Sequence, residues 1–248
     1  MITSSTNLNY KRWHSLSDSQ GILKQKQFLV SGQKVIEEIL AQYPEKVIEV
    51  LASEEFGPKL SLKHQTHLIE KKLFKELDQF NTKSSLLVCR ANRIEKWNPD
   101  AAPKGLELLC PFGDPRNLGA MMRSALAFGV SKLVLLTEAA NPYLPLAVRS
   151  SSGAVLKLKL EQGPSIKALS NVKGLVALDF GGTPIDKFPW KQNIRLLVGE
   201  EGPGLWDMEF STKISIAMTK TVESLNAAVA ASIALHAYRS VMLRQPLI

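Results

Sequence analysis

The sequence predicts an α/β protein in two parts, a carboxy-terminal domain built on a parallel sheet and, before it, a small α/β domain. Three observations predict this. From about residue 105, near-continuous apolar runs of strand length alternate with helical stretches, the pattern of a parallel sheet covered on both faces. Before residue 100, shorter strand and helix signals form a unit of their own. Between them RIEKWNPDAAPKG (93–105) loses periodicity, carries two prolines and ends on glycine, as linkers do. The expected divisions are a flexible or helical lead-in over 1–20, the small domain over 21–100 and the large one over 105–248.

The elements follow in order. The lead-in is polar, with Lys11 and Arg12 set among Ser and Asn. FLVSGQKVIEEIL (28–40) opens like a strand, breaks at Gly32 and continues with Val35, Ile36, Ile39 and Leu40 at helical spacing. KVIEVLAS (46–53) alternates like a strand, LIEKKLFKELDQF (68–80) puts Leu73, Leu77 and Phe80 on one helical stripe, and SSLLVC (84–89) reads as a short buried strand. In the second part the expected strands are LELLCPF, KLVLLTE (132–138), AVLKLKL (154–160), GLVALDF (174–180), IRLLVGE (194–200) and KISIAM (213–218), with helices over 117–128 and from about 225.

A chain of 248 residues, 45% of them hydrophobic, can fill a core. The net charge of +8 points to polyanionic partners, and its even spread over the two halves excludes a basic tail. Two cysteines, Cys89 and Cys110, end apolar strand-like runs, so neither a disulfide framework nor zinc spacing is present. The start lacks the apolar centre of a signal peptide, and no window approaches the roughly 20 apolar residues of a membrane-spanning helix. The expected location is the cytoplasm, with no membrane partner and no metal.

In open parallel sheets ligands sit beyond the carboxyl ends of the strands, which directs attention to three loops. In DPRNLGAMMRSALAFGV (114–130), Asn117 is placed to cap a helix, Gly119 permits close approach, and Arg116 and Arg123, seven apart, share one face. As separate residues the two arginines equally fit a solvated helix surface. LLVGEEGPGL (196–205) runs from a strand into Gly199, Glu200, Glu201, Gly202, Pro203 and Gly204, which leaves backbone groups open to a ligand without the residues of a phosphate loop. ISIAMTKTVESLNAAVAASIALHAY (214–238) joins a strand to an alanine-rich helix with Ser224 as the expected cap.

Together the three loops resemble the motifs of the SpoU branch of the SPOUT methyltransferases, over about 105–245. Asp114, Asn117, Gly119, Arg123, Ser124 and Ala125 are similar to the first motif, and Gly199, Glu201, Gly202, Gly204 and Leu205 to the second. Ile216, Met218, Ser224, Leu225, Asn226, Ala228, Val229 and Ala230 resemble the third. Three residues depart from the pattern: Ala217 stands for the usual proline, Lys220 for the usual glycine, and Glu200 puts a carboxylate where a neutral residue is common. The first domain resembles the family's RNA substrate-binding domain through FLVSGQKVIEEIL, with Ser31 where glutamate is usual.

The resemblance implies a deep trefoil knot in the last third of the chain and an enzyme that methylates a ribose 2′-hydroxyl of structured ribosomal or transfer RNA. It implies S-adenosyl-L-methionine as cofactor, held largely by backbone groups at Gly199, Ile216 and Leu225 with Ala217 and Met218 nearby. It also implies a homodimer whose active site borrows residues from the partner, with the helix over 226–237 as interface. The family gives the arginine matching Arg123 the role of base. A guanidinium ordinarily stays charged, so we expect Arg123 to fix the target phosphate and stabilise the developing alkoxide. Asn117 would position Arg123 or the ribose, Glu201 would orient the loop, and Ser224 with Asn226 would organise the third motif around the methionine moiety. Two other readings stay open: a homologue that binds RNA without catalysis, and an enzyme of this fold that methylates a base nitrogen.

Overall fold

The computed structural model describes residues 1–55, 64–170, 172–200, 204–205, 210–219, 221 and 223–244. It divides into two compact units, Met1–Arg93 with Asn141–Gly153, and Ile94–Ala140 with Ala154–Ile248.

In the first unit, α1 (Leu8–Ser15) begins where the Asn7 side chain accepts the N–H groups of Asn9 and Tyr10. Asp18 does the same for Gly21 at the start of α2 (Ser19–Gln25). The polar lead-in is therefore helical, and its few large apolar side chains anchor it: Tyr10, Trp13 and Leu16 are buried. Trp13 Nε1 donates to Glu49 Oε2 at 2.7 Å, and Arg12 reaches the same oxygen at 2.8 Å. There follow β1 (Gln27–Val30), α3 (Gln33–Gln42), β2 (Val47–Ser53), β3 (Gln65–Ile69), α4 (Lys71–Leu77) and β4 (Leu86–Arg90). The sheet runs β1-β4-β2-β3, with β4 antiparallel to both neighbours and β3 parallel to β2. Leu68 and Ile69, expected in a helix, end strand β3, where Ile69 alone is fully buried. Leu73, Phe74 and Leu77 of α4 meet Leu29, Leu51, Leu86 and Val88 from the sheet in one core with Tyr10 and Trp13.

The second unit opens with a short edge strand, β5 (Glu95–Lys96), then β6 (Leu106–Cys110), α5 (Pro115–Ala127) and β7 (Lys132–Leu135). The chain next contributes α6 (Pro145–Ser150) to the first unit, where the rings of Tyr143 and Phe28 lie 4.9 Å apart. Residues 141–153 fall within the large domain expected from sequence, yet they pack with the small one. The second unit resumes with β8 (Leu160–Gln162), β9 (Leu175–Pro184), β10 (Ile194–Leu197), β11 (Lys213–Ser215) and α7 (Ala227–Arg244). Its seven strands run β11-β9-β10-β6-β7-β8-β5, and every pairing is parallel. The α/β class with a parallel sheet is thus observed. AVLKLKL is a correction: Ala154, Val155 and Leu156 form one turn of 3-10 helix, all three buried, and only Leu160 enters a strand. The preceding Ser152 and Gly153 have φ of 49° and 79°, a left-handed turn that sets the direction of the chain into this segment.

A chain of buried charges crosses four strands of this sheet near their amino-terminal ends. Arg195 Nε on β10 lies 3.1 Å from Glu107 Oε2 on β6. Lys132 Nζ on β7 is 3.2 Å from Glu107 Oε1 and 3.0 Å from Glu161 Oε2 on β8. Arg195 also donates to the carbonyls of Pro99, Lys173 and Ala101 and stacks over the Trp97 ring, while Trp97 Nε1 donates to Glu107 Oε2. Burial by itself raises the Glu107 pKa, but hydrogen bonds from Arg195, Lys132 and Trp97 outweigh it and hold the carboxyl below the ordinary range. The loops at the opposite, carboxyl ends are left free for a ligand.

No helix among the described residues is long and apolar enough to cross a membrane. Cys89 and Cys110 are buried, and burial pushes the Cys89 thiol up to about 12, which leaves it protonated and unreactive.

Candidate functional site

Beyond the carboxyl ends of β10 and β11, beside the middle of β9, lies a cavity of about 410 Å³, within the size range of small-molecule sites. Strand β10 leads into it through Val198, Gly199 and Glu200, and the chain returns at Gly204 and Leu205. Glu200 N–H donates to the Gly204 carbonyl at 2.7 Å and Gly204 N–H returns the bond at 3.1 Å, closing the loop on itself. This closure requires glycine at 199, since a Cβ there would stand 2.8 Å from the Gly204 carbonyl carbon. Beyond β11 the wall continues with Ile216, Met218 and Ser224, then Leu225, Asn226, Ala227 and Ala230.

The third wall comes from β9 and rests on a bulge. Strand β10 pairs only with Leu175–Ala177, whereas β11 pairs with β9 first at Lys213↔Ala177 and then at Ile214↔Thr183. The residues between are freed from the ladder, and Leu178, Asp179 and Phe180 face the cavity. Gly182 makes the crossing possible, because a Cβ there would lie 2.5 Å from the Lys213 carbonyl carbon. Ser215 Oγ locks the bulge by donating to the Gly182 carbonyl at 2.8 Å, and Lys213 Nζ sits 2.7 Å from Asp179 Oδ2. Sequence reasoning missed Asp179 and Phe180; its available signal was the Gly-Gly pair inside a strand pattern.

The structure brings together Gly199, Ile216, Leu225, Met218, Ser224 and Asn226 around this one cavity. Ala217 is exposed and is not among its lining residues. Asn226 also borders a second, shallower hollow between α5 and α7, with Arg116, Asn117 and Ala120 on one side and Val229, Ser232, Ile233 and His236 on the other. Ser232 Oγ donates to Ser124 Oγ at 2.9 Å, tying α7 to α5. Arg123 is exposed on α5, lines neither hollow and engages no partner among the described residues. Glu201, Gly202 and Lys220 lie outside the described residues.

Two capping assignments need correction. The cap of α5 is Asp114, whose carboxylate accepts the N–H groups of Arg116 and Asn117 at 2.9 Å, with Pro115 in the first turn; Asn117 is already helical. The cap of α7 is Asn226 rather than Ser224, since Asn226 Oδ1 accepts from Ala228 N at 3.0 Å and Val229 N at 3.2 Å. Ser224 is thereby released from a helix-capping duty and stays on the cavity wall.

Comparison with known proteins shows the family. The chain is 39% identical over 241 residues to the ribosomal RNA small subunit methyltransferase G 2 of Syntrophobacter fumaroxidans, a match that covers 96% of this chain and 48% of that protein. It is 26% identical over 249 residues to the 23S rRNA (guanosine(2553)-2′-O)-methyltransferase RlmP of Bacillus subtilis, covering 96% and 98%. The chain spans about half the length of several curated relatives it matches, the first of these among them. Among solved structures, the SpoU methyltransferase AviRb of Streptomyces viridochromogenes in complex with AdoMet superposes with a TM-score of 0.79 at 25% identity, over 96% of this chain and 99% of that one. The model of the SpoU rRNA methylase family matches residues 108–236, and the chain belongs to that family.

Proposed function

We propose that this chain transfers a methyl group from S-adenosyl methionine to a ribose 2′-hydroxyl of structured ribosomal or transfer RNA, acting in the cytoplasm as a homodimer. The observation that carries the proposal is the convergence of residues from the second and third motifs on one cavity beyond the carboxyl ends of β10 and β11. Support for the ribose hydroxyl comes from RlmP, named as a 2′-O-methyltransferase and matched over nearly its whole length. The trefoil knot belongs to the same proposal, and it suits a strand order in which β11 passes β10 to pair with β9.

The cavity fits the cofactor chemically. Leu178, Val198, Leu205, Ile216 and Leu225 offer an apolar slot for a flat base, while Asp179, Ser224 and Asn226 offer polar groups for a ribose and an amino acid. The Cβ-free approach of Gly199 to Gly204 suits a ligand held by main-chain groups. When bound, S-adenosyl methionine supplies a methyl carbon activated by a sulfonium.

The protein's part is alignment and charge placement. Ser224 and Asn226 hold the polar end of the cavity, and Asn226, which borders both hollows, sits where cofactor and RNA sides meet. Arg116 and Asn117 offer donors to a phosphate and a ribose in the second hollow. Arg123 grips the target phosphate and stabilises the alkoxide that forms as the 2′-hydroxyl proton passes to water. Since Arg123 lies outside the cavity of its own chain, it acts on the cavity of a second copy, which is the reason for a dimer. Glu201 orients the glycine loop, and residues 21–100 with the lead-in grip the RNA beyond the target nucleotide.

The test is direct. Purified chain, labelled S-adenosyl methionine and unmethylated total RNA should yield a 2′-O-methyl nucleoside on digestion and mass spectrometry, whereas a base-methylated nucleoside or no labelled product would sink the proposal. Arg123→Ala should lose methylation and keep cofactor binding by calorimetry.

A further inference from the structure

Two carboxylates, Asp179 and Glu200, are the charged groups that line the cavity among the described residues, and they stand in opposite electrostatic situations. Asp179 Oδ2 lies 2.7 Å from Lys213 Nζ, so that pair presents no net charge. Glu200 forms no ion pair among the described residues, and its main chain is pinned in place by the two hydrogen bonds to Gly204 at 2.7 and 3.1 Å. It is half-buried on the wall of a cavity whose other lining is largely apolar. Among the described residues, the cavity wall therefore carries one carboxylate without an ion pair, on a main chain held by two hydrogen bonds.

Taking as its basis the reading that this cavity holds S-adenosyl methionine, we propose that Glu200 is the residue by which the site distinguishes the charged sulfonium cofactor from the neutral thioether left after transfer, S-adenosyl homocysteine. The two molecules share the adenine, the ribose and an amino acid whose ammonium and carboxylate cancel. They differ by one methyl group and one positive charge. A fixed carboxylate in a partly water-excluded site favours the charged partner, and a single interaction of this kind a few ångströms away, at an effective dielectric constant of about 20, is ample for roughly tenfold discrimination. The neutral Asp179–Lys213 pair supplies no such preference and is left to hydrogen-bond uncharged groups. Because the positive charge leaves the sulfur as the methyl moves, the attraction of Glu200 for the ligand ends with the reaction, and the product is bound less tightly than the cofactor it came from. The carboxylate that departs from the family's common neutral residue at this position thereby acquires a use.

Calorimetric titration of the full chain tests this with three ligands: S-adenosyl methionine, S-adenosyl homocysteine, and sinefungin, which carries an amine in place of the sulfonium and has no transferable methyl. In Glu200→Gln, the two charged ligands should bind about tenfold more weakly, and the neutral thioether should stay within about twofold of the wild type. The thioether serves as the control for folding. Equal weakening of all three ligands, or no change in any, overturns the assignment of Glu200 while leaving the cofactor reading in place. A wild-type chain that binds none of the three overturns the cofactor reading and the assignment with it.

Discussion

Lys213 Nζ lies 2.7 Å from Asp179 Oδ2, across a bulge that lets β11 skip from Ala177 to Thr183 of β9. The contact joins the strand that ends the sheet to the wall of the cavity, so it is both a strand fastener and a charge balance. Lys213→Met should cost about 1 kcal/mol in urea unfolding, the modest value of a pair left a quarter to a third exposed. It should also leave a second carboxylate unbalanced at the cavity, so the preference for sinefungin over S-adenosyl homocysteine should widen by calorimetry.

Glu107 is the most interconnected carboxylate of the buried charge chain. Glu107→Gln leaves Arg195 and Lys132 without their shared anion, and a loss of about 3–5 kcal/mol is expected. The pH dependence has a definite sign. A folded pKa held below the ordinary 4.5 means that Glu107 contributes stability above that value, and the contribution disappears as pH falls through the folded pKa. Urea midpoints should therefore decline less steeply below about pH 4.5 in the variant than in the wild type.

Gly199→Ala sets a methyl group 2.8 Å from the Gly204 backbone, which cannot move without opening the loop. Cofactor affinity should drop more than about tenfold, a change of roughly 1.4 kcal/mol or more. A calorimetric titration reads this directly. The thermal midpoint should move little, because the loop lies beyond the strand ladder.

Asn226 and Ser224 separate a fold role from a ligand role. Asn226→Ala removes two capping bonds from α7 and should destabilise the chain by about 1 kcal/mol, with Asn226→Asp recovering most of it. Ser224→Ala should leave the unfolding midpoint within about 0.5 kcal/mol of the wild type and act on cofactor affinity alone.

Mixing two impaired variants, at a cofactor concentration too low to load Gly199→Ala, tests whether the site is shared between copies. Arg123→Ala keeps a sound cavity and Gly199→Ala keeps a sound arginine, so co-refolded chains should regain roughly a quarter of the methylation activity through their mixed dimers. Two variants that stay inactive together would place Arg123 in its own chain's chemistry.

Much of this architecture was legible in the sequence, for physical reasons that also explain the gaps. The central strands of the large sheet are buried on both faces, as LELLC in β6 shows, and such runs stand out against polar loops. Strand β3 did not stand out, because Ile69 is its one buried side chain and pairing with β2, and with Ile2 on its other side, makes it a strand. AVLKLKL imitates a strand through its alternating lysines, although those lysines follow the end of a helical turn. The two capping errors arose where side chains that can cap stand close together, Asp114 with Asn117 and Ser224 with Asn226. Local pattern cannot rank such neighbours, although Pro115 already marked the first turn of α5. Asp179 and Phe180 reach the cavity through a tertiary bulge that no local motif encodes.

The charge chain also carries a record of when the sheet can be completed. Glu107 is synthesised 88 residues before Arg195, and the strand that bears Arg195 must enter between β6 and β9, both already made. Until it does, the buried acid has Lys132 as its cation and an open edge on its other side. The last central strand to leave the ribosome is thus the one that brings the missing positive charge, and its arrival both fills the gap and closes the circuit.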